Sequence, residues 1–125
     1  MRKILRQHHI SFKNAFAGLY WAIRTQPNFR IHFVCAIGAI WLGKYLHITQ
    51  TEMMVIFLTI LLGLAGEMIN TAIESVTDLV TRQWRQEAKI AKDVSAGMML
   101  TIAMGAVGIA AYIFIPYIYP RFPSF

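Results

Sequence analysis

The sequence predicts an all-α integral membrane protein: an amphipathic amino-terminal helix on the membrane surface, then three transmembrane helices. Three observations carry this. The 125 residues are 57% hydrophobic and 14% charged, whereas ordinary globular chains are about 45–50% apolar and about 25% charged. A soluble domain this small exposes much of its surface, and so few charges cannot cover it. Mean hydropathy is +0.50, and the apolar residues gather in long runs between basic clusters. The net charge of +6 comes from twelve Lys and Arg against six Asp and Glu. Disorder, a collagen repeat and a disulfide scaffold are excluded, since Cys35 is the one cysteine. A nucleic-acid-binding domain would not carry such apolar runs; attraction of the basic residues to anionic lipid fits better.

Residues 1–125 read as a single domain. Its first segment, residues 1–25, reads as a basic amphipathic helix. Counted at about 100° per residue from Ile4, the side chains of Leu5, Phe12, Phe16, Leu19 and Ile23 share one arc. Arg2, Arg6, Lys13 and Arg24 cluster opposite, while Ile10 and Trp21 break the pattern. Such a helix lies in the interface plane; the alternative is packing against the other helices. Thr25-Gln26-Pro27 ends it, because the residue before proline avoids the helical region.

Three apolar stretches follow, Ile31–Leu46, Met53–Ala72 and Val94–Tyr119, within helical segments at 29–47, 52–81 and 88–119. The first is short, and Phe29 with the snorkelling ends Arg30 and Lys44 extends it. The third is long enough to span with tilt. Tyr112, Tyr117 and Tyr119 suit an aromatic belt at its far end, and Pro116 and Pro120 mark where it frays. Ten of the twelve basic residues lie in the amino-terminal arm, up to Arg30, and in an expected Arg82–Lys92 loop. The positive-inside rule therefore puts both in the cytoplasm, with the 44–52 turn and the carboxyl terminus outside. No secretory signal is expected, since the first apolar run begins late and lacks a small-residue cleavage site.

The chemistry concentrates in the second span. Glu67, Glu74 and Asp78 are spaced at i, i+7 and i+11, so they point the same way, with Asn70 and Thr71 beside them. The result is a carboxylate ladder about 16 Å long. An ionised side chain at a helix centre costs about 3 kcal/mol on insertion scales, so these acids need partners or a wet cavity. The bland alternative is a polar patch that fixes helix packing. Hard cations such as Mg²⁺ take oxygen ligands. Phosphoryl transfer needs a metal on phosphate oxygens, a cation for developing charge and a base for the attacking hydroxyl. Glu74 or Asp78 suits the metal, Glu67 the base and Lys92 a phosphate. Arg82, Arg85 and Lys89 add positive field. Neither a phosphate-binding Gly-rich loop nor a protein-kinase signature is present, so any ATP binds on helices.

Glu67-Met-Ile-Asn70-Thr-Ala-Ile-Glu74, then Asp78, then Ala91-Lys92-Asp93-Val-Ser-Ala-Gly97 resembles the small prokaryotic diacylglycerol kinase and undecaprenol kinase family. Ser11-Phe12-Lys13, Gly18 and Asn28-Phe29-Arg30-Ile31-His32 match as well, and the last stretch looks more like the undecaprenol kinase branch. The resemblance implies a homotrimeric lipid kinase of the bacterial cytoplasmic membrane, with ATP and Mg²⁺ and with active sites shared between subunits. It implies Glu67 as general base and Glu74 as a metal ligand that also meets ATP. Asn70 and Asp78 would support the site, and Lys92 and Asp93 would contact the nucleotide. Asn28 and Arg30 fall in a matching stretch and join the substrate side, while the amino-terminal helix would line the entrance.

The sequence departs from the family pattern twice. Gln26 occupies a position where relatives often carry a second metal-binding glutamate; an amide oxygen can coordinate Mg²⁺ but brings no charge. Gln83-Trp84-Arg85 replaces acidic, tyrosine and histidine residues, leaving Trp84 to stack on adenine beside Arg85 or to anchor at the interface.

Other residues read as bland. His8 and His9 are badly spaced for a shared metal, His32 reads as a hydrogen-bonding neighbour, His47 lies near the outer interface and Cys35 packs. The rival function is a small proton-coupled transporter using Glu67 and Glu74 as a relay, but it has no use for Lys92-Asp93.

Overall fold

The computed structural model describes residues 2–119, with side chains from Ser11 onward. It is all helical: α1 Arg2–Thr25, α2 Pro27–Tyr45, α3 Gln50–Val80 and α4 Gln86–Ile118. The side chains expected on α1 before Ser11, His8 and His9 among them, and Pro120 lie outside the described residues.

Local chemistry sets the breaks. Gln26 is extended, with φ −98° and ψ 109°, and Pro27 opens α2, as the restriction before proline requires. α2 ends in a tight turn in which His47 adopts a positive φ of 53°, a conformation tolerated by His more readily than by branched residues. Thr49 then caps α3 in a reciprocal box: its side chain accepts from the Glu52 backbone N–H, and the Glu52 carboxylate accepts from the Thr49 N–H. Tyr117 donates to the same carboxylate at 2.7 Å, tying the end of α4 to the start of α3.

One element differs from expectation. The basic stretch is mostly not a loop, because the connection is only Thr81–Arg85 and α4 begins at Gln86. Glu87, Ala88, Lys89 and Ala91 are good helix formers, and Lys89 pairs with Asp93 one turn on, so Lys89 and Lys92 ride on helix. At the other end, α4 runs through Pro116 to Ile118. A proline so near the terminus forfeits one backbone bond without stopping the last turn.

Among the described residues, two helices, α3 and α4, are long and apolar enough to cross a membrane. Their 31 and 33 residues extend about 46 and 50 Å, beyond a hydrocarbon core of about 30 Å. α2 is not among them, since Asn28, Arg30 and His32 near its start and Lys44 near its end dilute its 19 residues.

α3 packs on α2 and more extensively on α4. Ile56, Ile113 and Phe114 form a buried cluster with Ala39, Leu42, Leu46, Ile48 and Ile60 around it, at the end near the α2–α3 turn. In α1, Phe12 and Phe16 are 66% and 70% exposed, and Ala22 is buried. The helix does not hide its aromatic face against this chain.

Candidate active site

α3 builds the site. Its inward stripe begins with Ile56 and Ile60, passes Gly63, and continues as Glu67, Asn70, Glu74 and Asp78. Burial falls along the stripe. Glu67 is 3% exposed and Asn70 is buried, whereas Glu74 is half-buried and Asp78 exposed.

Glu67 is wedged between helices. The Asn28 side chain of α2 donates to it, and His32 and Glu74 lie within electrostatic reach. The His32 ring sits beside Gly63, its Nδ1 3.9 Å from where a Cβ would stand. On the α4 side, a Cβ at Gly66 would meet Ile102 Cδ1 at 2.6 Å and Met99 Sδ at 3.0 Å. The missing side chain lets α4 approach next to the acid.

α4 brings the other half. Ser95 Oγ donates to Asn70 Oδ1 at 2.5 Å, and Asn70 Nδ2 donates to Glu74 Oε1 at 3.2 Å. Lys92 Nζ donates to Asp78 Oδ1 at 2.5 Å, an ion pair that links α4 to α3. Asp93 is engaged by Lys89.

The structure therefore gathers Glu67, Asn70, Glu74, Asp78, Lys92 and Asn28. Gln26 is half-buried at the head of α2 and makes no side-chain capping bond there, so its amide is not committed to the helix end. Arg30 is exposed on α2. Trp84, 78% exposed, and Arg85 belong to the α3–α4 turn. A groove of about 520 Å³ opens beside that turn, lined in part by Thr77, Thr81, Arg85 and Ala88. Sequence reasoning gave no role to Ser95 and read His32 only as a hydrogen-bonding neighbour, outside the site. The signals existed: Ser95 follows Lys92 by three residues on an otherwise apolar face, and His32 follows Asn28 by four.

Among the described residues, no three His, Cys, Asp or Glu side chains converge in one chain to hold a metal. Glu74, with one oxygen held by Asn70, offers a single partly accessible carboxylate. That donor set fits Mg²⁺, which keeps several waters and is usually held by one or two carboxylates plus substrate phosphates.

Comparison with known proteins identifies the family of the chain. The profile of the prokaryotic diacylglycerol kinase family matches residues 13–114. The chain is 40% identical over 108 residues to a protein named diacylglycerol kinase from Synechocystis sp., covering 86% of this chain and 62% of that protein. The chain thus spans less than two thirds of that relative's length. It is 35% identical over 115 residues to a protein named undecaprenol kinase from Bacillus subtilis, covering 92% of this chain and 94% of that one. A family match over most of the chain, carried by two relatives named as kinases of lipids, makes this protein a member of the prokaryotic diacylglycerol kinase family of lipid kinases.

Proposed function

We propose that this chain transfers the γ-phosphoryl group of ATP to the hydroxyl of a membrane lipid, undecaprenol or diacylglycerol, with Mg²⁺, in the bacterial cytoplasmic membrane. The observation that carries the reading is the burial gradient on α3: a buried Glu67, a half-buried Glu74 and an exposed Asp78 joined to Lys92. A lipid hydroxyl comes from the bilayer and a nucleotide from water, and a site serving both needs its base deep and its phosphate contacts shallow.

In this reading Glu67 accepts the proton of the acceptor hydroxyl, and Asn28 orients its carboxylate. Glu74 and Gln26 would hold Mg²⁺, which would offset phosphate charge there. Lys92 neutralises phosphate charge, with Asp78 keeping its side chain in reach. Asp93, Trp84 and Arg85 face the nucleotide, the indole of Trp84 stacking on the base. Asn70 supports Glu74, and Arg30 supports the substrate side at the head of α2.

The same reading makes the chain multi-pass. α2 spans about 28 Å, enough to cross with its charged ends snorkelling. This returns α1 and the Thr81–Arg85 turn to one side, the cytoplasm, with the amino terminus there. α1 lies on that surface, and three copies associate with sites shared between subunits.

Purified protein in detergent, given labelled ATP, Mg²⁺ and either undecaprenol or diacylglycerol, tests the proposal. Label should enter a lipid only when Mg²⁺ is present, and the lipid labelled faster identifies the acceptor. No label in either lipid would overturn it.

A further inference from the structure

We infer that Ser95 is a positioning residue for the Glu74 carboxylate, acting across the helix interface through the side-chain amide of Asn70. Its functional consequence rests on the kinase reading above. Glu67, Asn70 and Ser95 are the buried polar residues among those described, and Ser95 is 3% exposed. An asparagine side chain has a donor end and an acceptor end, while an ionised carboxylate only accepts. Asn70 must therefore turn Nδ2 toward Glu74, as it does at 3.2 Å. That sends Oδ1 toward α4, where the Ser95 hydroxyl meets it at 2.5 Å.

Without that hydroxyl, Oδ1 is left in a buried site with no donor from α4. The amide then either bears an unsatisfied acceptor or flips, aiming Oδ1 at a carboxylate that repels it. Both outcomes take from Glu74 the donor that fixes its orientation. Ser95 also lies one turn beyond Lys92, so a single face of α4 sets both the Asp78–Lys92 pair and the Asn70–Glu74 geometry.

The test uses the intact protein labelled with ¹⁵N-asparagine in detergent, alongside kinetics. The chain has three asparagines, Asn14, Asn28 and Asn70, so the side-chain amide spectrum is simple to assign with Asn70→Asp. Ser95→Ala should move the Asn70 amide pair and speed its hydrogen exchange while leaving Asn14 in place, and Ser95→Thr should restore both. In the kinetic arm, Ser95→Ala should raise the KM for Mg²⁺–ATP about tenfold, as for loss of a hydrogen bond to a charged group. The KM for lipid should stay unchanged, with rescue by Ser95→Thr. An unmoved Asn70 amide pair overturns the inference. So does a moved pair with an unchanged KM for Mg²⁺–ATP, or equal rises in both KM values with a fallen thermal midpoint, which is general loosening. If the unaltered protein phosphorylates no lipid, the kinase reading fails, and the amide spectrum still decides the Ser95–Asn70–Glu74 chain.

Discussion

Glu67 is 3% exposed and lies beside Asn28 of α2. Glu67→Gln keeps the shape and a partner for Asn28 but removes the base. Turnover should fall by about a hundred- to ten-thousand-fold, the usual contribution of a general base, while the thermal midpoint in detergent holds or rises. Retained turnover would remove Glu67 from the chemistry. The Asp78–Lys92 pair gives a complementary test. Both partners are substantially exposed, at 61% and 40% of the side chain, so the pair contributes only about 0–1 kcal/mol to stability. Lys92→Ala should nevertheless lower turnover by about a hundredfold, as when one preorganised donor to developing charge is removed. Equal losses of stability and turnover would make the pair merely structural.

At the scale of elements, the α3–α4 contact depends on a small residue next to the acid. A Cβ at Gly66 would sit 2.6 Å from Ile102 Cδ1. Gly66→Ala should change stability by less than about 1 kcal/mol, because the ends of Ile102 and Met99 can turn aside and the better helix propensity of alanine offsets the crowding, read as a nearly unchanged unfolding midpoint in a denaturing-detergent titration. Thr49→Ala at the far end removes half of the capping box, at a cost of about 1 kcal/mol, and should leave the KM for Mg²⁺–ATP unchanged because the site is distant. α1 presents Phe12 and Phe16 outward, an arrangement suited to the membrane interface. With Trp21, Trp41 and Trp84 changed to Phe, the emission of the single indole introduced by Phe16→Trp should be quenched by brominated lipids. Quenching no greater than for free tryptophan would mean that α1 leaves the bilayer surface.

At the scale of the whole molecule, apolar side chains cover the outer faces of α3 and α4, with Leu62, Leu79, Val80, Val94, Leu100 and Val107 all exposed. Those faces need lipid or other copies of the chain. The intact protein in mild detergent should run as an assembly of three chains of 14.3 kDa each, measured by light scattering with the detergent mass subtracted. A single-chain mass would require a site complete within one subunit.

The helical class and the acidic stripe were legible in the sequence because both are local. Apolar runs long enough to cross a bilayer and acids at i, i+7 and i+11 follow from helix geometry alone. The family was legible for a related reason, since its motif residues lie close together on α3 and at the start of α4. What remained for the tertiary structure was pairing across helices. That Lys92 meets Asp78, that Ser95 rather than a charged residue meets Asn70, and that Asn28 and His32 flank Glu67 depend on the register of one helix against another. Small residues such as Gly66 and the distant apolar cluster of Ile56, Ile113 and Phe114 set that register. Side-chain periodicity tells which face a residue occupies, but only packing decides what stands opposite it.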